Sequence, residues 1–73
     1  MPQRATYITE LIAKRLREER EQQGLSQTTL ADRAGIDRKT VNRIENGHYS
    51  PNLETFVLLC RALHADPSEM LTQ

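Results

Sequence analysis

Glycines at positions 24 and 35 divide the first half of this chain into two short stretches with helical periodicity. Between Thr6 and Gln23, apolar residues recur every three or four positions and charged residues fill the remaining places, which is the pattern of an amphipathic helix. Gly24 ends that helix and Gly35 ends a second one, because glycine adopts the left-handed backbone of a helix C-terminus without a steric penalty. Helices this short must pack on one another to be stable. The apolar residues of the first helix are Ile8, Leu11, Ile12 and Leu16.

Polar residues mark the starts of the remaining helices, since their side chains accept hydrogen bonds from the free backbone N–H groups of a first turn. A third helix is predicted from Arg38 to about Asn46, and Pro51 lies in the loop that follows it. Pro67 at the first position and Glu69 three residues after the cap are typical of the start of a short fifth helix. The predicted N-caps of helices two to five are Ser26, Asp37, Asn52 and Asp66.

These elements predict an all-α fold, a compact five-helix bundle that forms one domain over residues 1–73. No stretch has the alternation of a strand. A chain of this length buries only about 60% of its unfolded surface, so its stability margin is thin. The residues predicted to face the core in helices two to four are Leu30, Ala31, Ala34, Val41, Ile44, Leu53, Phe56, Val57, Cys60 and Leu63.

Cysteine and histidine usage argues against a disulfide, a metal site or a cofactor. Cys60 is the single cysteine and lies in an apolar run, so we expect a small buried hydrophobe in a reducing compartment. His48, Cys60 and His64 lack the paired ligand spacing of a zinc site. Residues 1–6 contain no signal-peptide core, and no apolar stretch has membrane length. We therefore expect a soluble, cytoplasmic protein without a membrane partner or a small-molecule substrate.

The overall charge argues against a general nucleic-acid binder. Ten basic and ten acidic residues give a formal net charge of zero, whereas such binders are strongly basic. Attraction to phosphate is nevertheless local, because salt screens charges beyond about 8 Å at physiological ionic strength. The positions of the cations therefore decide the question.

Residues 27–44 have the residue pattern of a helix-turn-helix. Ala31 supplies the small residue where two helices cross, and Gly35 supplies a turn residue that tolerates positive φ. Ile36 supplies an apolar plug after the turn, and Val41 and Ile44 supply two inward residues three apart in the second helix. The alternative is an ordinary helical hairpin within a bundle.

With these positions the chain resembles the lambda repressor and Cro family of helix-turn-helix regulators, also called the Xre family. The resemblance extends from about Ile12 to Leu71 and implies a lambda-repressor-like bundle in which helices 2 and 3 form the DNA-reading pair. It also implies binding to two-fold symmetric operators as a dimer. Glu19 departs from the family, which often has an apolar residue there. The resemblance is carried by residues 24–27, 30–31, 34–36, 41, 43–47, 51–55 and 61–63.

The third helix turns its apolar residues inward and leaves Arg38, Lys39, Asn42 and Arg43 facing outward. Arginine and lysine can donate to guanine O6 and N7 in the major groove. The resemblance places base contacts at the three cations. Thr40 is a further candidate base contact at the groove edge, where its methyl can meet a thymine or its hydroxyl a phosphate. Without the surrounding motif, the same face would be interpreted as a solvated charge cluster.

Contacts to the DNA backbone are expected around both ends of the reading pair. Gln27 stands at the start of the second helix, where free N–H groups and the helix dipole favour an anion, and the resemblance implies that it clamps a phosphate. The alternative roles are a plain N-cap for Ser26, exposed surface for Thr28 and a solvated loop residue for His48. The candidate backbone contacts are Ser26, Gln27, Thr28, Asn42, Asn46, His48 and Tyr49.

Two further sets of residues have predicted structural roles. The resemblance implies an ion pair between Arg20 and Glu45 that orients the reading helix, the alternative being two independent surface charges. The apolar C-terminal half suggests a dimer surface on the fourth and fifth helices. The candidate dimer contacts are Leu58, Met70 and Leu71.

The leading hypothesis is a sequence-specific transcriptional regulator that binds double-stranded DNA as a homodimer. The neutral charge motivates an alternative, an antitoxin or interaction module whose main partner is another protein such as a toxin. An enzyme is disfavoured, because Ser50, Ser68 and His64 show no nucleophile with a neighbouring base. The sequence does not separate a restriction-modification controller, a phage or plasmid repressor and an antitoxin.

Overall fold

Five α-helices make up the computed structural model, which describes residues 2–72 and the side chains of residues 7–72. No strand occurs among these residues, so the predicted all-α, five-helix architecture is confirmed. Within the same range, no helix combines the length and apolarity needed to cross a membrane. The helices are α1 (Pro2–Gln22), α2 (Gln27–Ala34), α3 (Arg38–Glu45), α4 (Leu53–Ala62) and α5 (Pro67–Met70).

Side-chain caps fix where α2 to α5 begin. Ser26 Oγ accepts a hydrogen bond of 3.0 Å from the Thr29 backbone N–H, and the other three predicted N-caps do the same for their helices. Each cap satisfies one backbone donor that would otherwise lack an intrahelical partner. The four predicted starts are therefore confirmed, whereas α1 begins at Pro2 rather than Thr6. The other capping bonds run to Asp37 from Thr40 N–H (2.7 Å), to Asn52 from Thr55 N–H (2.8 Å) and to Asp66 from Ser68 N–H (2.9 Å).

The core lies where α1, α2, α3 and α4 meet, with α5 closing one end through Met70. Cys60 is fully buried, as expected. Burial raises the pKa of its thiol, and the nearby Asp66 carboxylate raises it further, so the sulfur remains protonated and unreactive. The largest fully buried side chains are Leu16, Leu30, Val41, Ile44, Leu59, Cys60, Leu63 and Met70.

Several predicted core positions lie at the surface instead. Ile8 is 43% exposed, because the buried part of α1 begins only at Ile12. Leu53 is 77% exposed in the first turn of α4, and Val57 is only half-buried. The inward stripe of α4 is formed instead by Phe56, Leu59, Cys60, Ala62 and Leu63.

The C-terminus of α4 closes with a residue in an unfavourable backbone conformation. His64 has a φ of 55°, which is the left-handed region where a Cβ atom is sterically disfavoured. Its N–H donates to the Arg61 carbonyl at 3.1 Å, and the Ala65 N–H donates to the Cys60 carbonyl at 2.9 Å. These two bonds end the helix in the manner usually reserved for glycine.

We expect His64→Gly to raise the free energy of unfolding by about 1 kcal/mol, since glycine removes the steric penalty of the left-handed backbone. Urea unfolding followed by circular dichroism measures the change. His64→Ala is the control, because it removes the imidazole but keeps the Cβ atom. Equal stabilisation by alanine and glycine would refute the backbone explanation.

Candidate nucleic-acid interface

A tight turn sets α3 across α2. Gly35 has a φ of 75° and caps α2 in the left-handed conformation, as predicted. The Ile36 N–H donates to the Ala31 carbonyl at 3.0 Å, and the Ile36 side chain packs partly buried against the core. Ala31 itself is 1% exposed, so only a small side chain fits where the two helices cross. Residues 27–45 thus form a helix-turn-helix.

The outward face of α3 is basic. Arg38, Lys39 and Arg43 are all exposed, and at 100° per residue they fall within an arc of about 140°. Asn42 lies inside this arc and is half-buried, whereas Thr40, also half-buried, lies about 60° beyond it. The three predicted outward cations therefore share one accessible surface, which we call the α3 basic face (Arg38, Lys39 and Arg43).

The acidic residues at the two ends of α3, Asp37 and Glu45, both have partners within the protein. The Asp37 carboxylate accepts the Thr40 backbone N–H, and this bond is the main reason that the pKa of Asp37 lies below its usual value. A hydrogen bond from the Thr40 side chain and the charges of Lys39 and Arg43 lower it further. Glu45 is 2% exposed and turned inward. A chain with zero net charge consequently carries a positive surface at α3.

Glu45 forms a two-pronged ion pair with Arg20. Arg20 Nε lies 2.7 Å from Oε2, and Arg20 Nη2 lies 2.9 Å from Oε1. The Arg20 side chain is only 12% exposed, and its hydrogen bond to Glu45 is the main cause of its raised pKa. Arg20 Nη1 also donates to the Leu25 carbonyl at 2.7 Å, while Arg17 Nη1 donates to the Glu45 carbonyl at 3.1 Å. The Arg20–Glu45 pair therefore joins α1, the α1–α2 loop and the end of α3.

Side-chain amides extend this pair toward the surface. Gln27 Nε2 donates to Glu45 Oε1 at 3.1 Å, and Asn42 Nδ2 donates to Gln27 Oε1 at 3.2 Å. Asn46 Nδ2 then donates to Asn42 Oδ1 at 3.2 Å. We call this chain of bonds the amide ladder (Glu45, Gln27, Asn42 and Asn46).

Sequence reasoning named each amide of the ladder as a separate phosphate contact and missed the bonds between them. Only one link had a sequence signal, since Asn42 and Asn46 are four residues apart and face each other on a helix. The links from Gln27 to Asn42 and to Glu45 cross from α2 to α3. They depend on how the two helices cross, which no local pattern encodes.

The remaining candidate backbone contacts lie on exposed surface near α2 and α3. Ser26 and Thr28 are exposed at the start of α2. His48 and Tyr49 are exposed in the loop after α3, which is held by the bond of 3.0 Å from the His48 N–H to the Arg43 carbonyl.

One candidate dimer residue is corrected. Met70 is 1% exposed in the single chain and belongs to its core, because α5 turns this side chain inward against α1 and α4. It therefore has no surface to offer a second copy. Leu71 is 46% exposed and Leu58 is half-buried, so these two remain accessible.

Comparison with known proteins gives concordant matches. A family model described as HTH_3, helix-turn-helix, matches residues 16–70. An uncharacterized HTH-type transcriptional regulator of Methanothermobacter thermautotrophicus is 44% identical over 48 residues, which cover 66% of this chain and 70% of that protein. Three other curated relatives are longer, and the match to this chain covers 18–29% of their lengths.

Two of the matching proteins are controllers of similar extent. Control protein C.SmaI of Serratia marcescens is 30% identical over 66 residues, which cover 90% of this chain and 79% of that protein. The crystal structure of the restriction-modification controller protein C.AhdI from Aeromonas hydrophila matches with a TM-score of 0.81 and 39% identity. That match covers 85% of this chain and 94% of the controller.

Arg20→Met and Glu45→Gln are each expected to lower the free energy of unfolding by about 3 to 5 kcal/mol, because each breaks a buried ion pair by removing one charged partner. Chemical denaturation measures the loss. The double variant should lose less than the sum of the two single losses, since it leaves neither charge unpaired. Arg33→Met, which changes an exposed arginine of α2, is the control; an equal loss there would contradict a special role for the pair.

Stability is expected to fall in acid partly because the cap of α3 titrates. The pKa of Asp37 in the folded chain lies below its ordinary value of 3.8, so its contribution is complete above that pH and disappears as the pH falls through the lowered pKa. Asp37→Asn still caps but does not titrate, and it should flatten the acid limb of an unfolding free energy curve. The pKa of Asp66 is also lowered, by hydrogen bonds from Ser68, so the contribution of this cap to stability should likewise disappear in acid. An unchanged acid limb in the double Asn variant would contradict this assignment.

Proposed function

Because this chain belongs to the HTH_3 helix-turn-helix family and is a transcriptional regulator with a DNA-binding fold, we propose that it binds a symmetric operator as a homodimer, with α3 in the major groove. The α3 basic face is the observation that carries this proposal. A helix with its side chains is about 10 to 12 Å across and fits a groove about 12 Å wide. Arginine can donate to guanine O6 and N7 together, so this face suits guanine-containing half-sites.

Direct base contacts are proposed for Arg38, Lys39 and Arg43, with Thr40 at the groove edge. The three cations are exposed on one arc and the rest of the subunit does not cover them. The surrounding polar groups would position the helix by contacting phosphates, which carry no sequence information themselves. The proposed phosphate contacts are Ser26, Gln27, Thr28, Asn46, His48 and Tyr49.

A homodimer is proposed because one α3 helix reads only a few base pairs. Two copies place their reading helices about 34 Å apart on one face of the duplex and read two half-sites. Leu58 and Leu71 are the proposed contacts between copies, since both are apolar and at least partly accessible. Sedimentation over a concentration series tests this, and a chain that is monomeric throughout would refute it.

Among regulators, we propose a restriction-modification controller role. The identity to the Serratia and Aeromonas controllers, over most of their lengths, favours this role over a phage repressor or an antitoxin.

Selection from a random duplex library is expected to yield a palindromic site. Arg43→Ala should weaken binding to that site about tenfold or more, and it should relax the base preference at one position of each half-site. Affinity should also fall steeply from about 50 to about 200 mM salt, because bound phosphates release counterions. Fluorescence anisotropy measures both effects. Arg61→Ala, on exposed α4 surface, is the matched control. An affinity indifferent to salt would argue for a protein partner instead.

A further inference from the structure

We propose that Asn42 is a positioning residue for phosphate docking: it acts on DNA through Gln27 rather than by touching DNA itself. The inference rests on the proposed function, because it concerns how the same interface meets a phosphate. Asn42 lies within the arc of the α3 basic face and is half-buried. One of its two side-chain N–H groups donates to Gln27 Oε1 at 3.2 Å, and its side-chain oxygen accepts from Asn46 Nδ2 at 3.2 Å.

The buried carboxylate sets the direction of every bond in the amide ladder. An ionised Glu45 accepts hydrogen bonds only, so Gln27 must turn its nitrogen toward Glu45, which leaves its oxygen to face Asn42. That oxygen in turn requires a donor, which makes Asn42 present its nitrogen to Gln27 and its oxygen to Asn46. The observed bonds of 3.1, 3.2 and 3.2 Å follow this order without exception.

One N–H of Gln27 remains for an outside acceptor. A primary amide has two N–H groups, and Gln27 uses one of them on Glu45 within the described part of the chain. Glu45 and Asn42 hold both ends of the amide, and Gln27 is the first residue of α2, so the second N–H belongs to a helix N-terminus, where backbone donors favour an anion. The ligand class is a phosphate oxygen of the DNA backbone.

Asn42 is the element that removes the rotational freedom of Gln27. Glu45 alone holds only the nitrogen end, and the carboxamide could still turn about that bond. The second bond, to Asn42, fixes the carboxamide plane, and bonds in series from a buried charge strengthen one another. A donor that is already oriented loses less entropy when the phosphate arrives. Because Asn42 is on α3 and Gln27 is on α2, phosphate docking is also tied to the correct placement of the reading helix.

Nuclear magnetic resonance of the free protein tests the positioning step without DNA. Asn42→Ala is expected to shift the two side-chain amide proton resonances of Gln27 and to speed their exchange with water. Unchanged Gln27 resonances would overturn the inference whatever the DNA result. Thermal unfolding of each variant, followed by circular dichroism, ensures that only folded protein is compared.

A double-mutant cycle on DNA affinity tests the coupling. On the selected duplex we expect Gln27→Ala to weaken binding about tenfold, the usual size for a hydrogen bond to a charged group, and Asn42→Ala to weaken it by a smaller factor. The double variant should bind within about twofold of Gln27→Ala alone, since Asn42 acts only through Gln27.

The control cycle pairs Gln27→Ala with Arg43→Ala, because Arg43 lies outside the amide ladder. In that double variant the fold-losses of DNA affinity caused by the two single substitutions should multiply. If the fold-losses of DNA affinity caused by Asn42→Ala and Gln27→Ala also multiply, Asn42 contacts DNA independently and the inference is wrong. If the wild-type chain binds no duplex in a salt-dependent manner, the proposed function fails, while the resonance test still decides the positioning step.

Discussion

The buried ion pair between Arg20 and Glu45 is the interaction on which the interface depends. Its two bonds of 2.7 and 2.9 Å join the end of α1 to the end of α3, and Glu45 is almost completely withdrawn from water. Arg17 binds the backbone carbonyl of the same residue. The direction in which α3 projects its cations is thus fixed by contacts that Glu45, at the end of the helix, makes with α1.

A buried ion pair is a poor source of net stability, since the cost of removing two charges from water offsets most of their attraction. An apolar pair of similar volume would hold α1 and α3 together about as well. The carboxylate offers what an apolar side chain does not, namely directed acceptor positions. Arg20 uses two of them and Gln27 shares one, so the same group that anchors α3 also orients the amides beside the α3 basic face.

Charge distribution resolves the apparent conflict between a neutral chain and a DNA-binding fold. Glu45 is paired and buried, and Asp37 caps a helix, so the cations of α3 face solvent without an opposing carboxylate on the same arc. Because screening limits attraction to about 8 Å at physiological salt, acidic residues farther away than this have little effect on a phosphate at α3. Local placement, rather than net charge, determines whether this surface attracts an anion.

The sequence by itself determined the helices, the starts of α2 to α5 and the turn between α2 and α3. Caps such as Ser26 and Asp37, and the left-handed turn at Gly35, act through hydrogen bonds and sterics within a few residues, so local patterns are enough to predict them. Periodicity also placed the cations of α3 on its outer face. Only the tertiary structure decided that Leu53 is exposed, that Met70 is a core residue and that Gln27 and Asn42 are bonded to each other. Those outcomes depend on which surfaces meet when helices cross, and side chains far apart in the chain carry no local signal of that meeting.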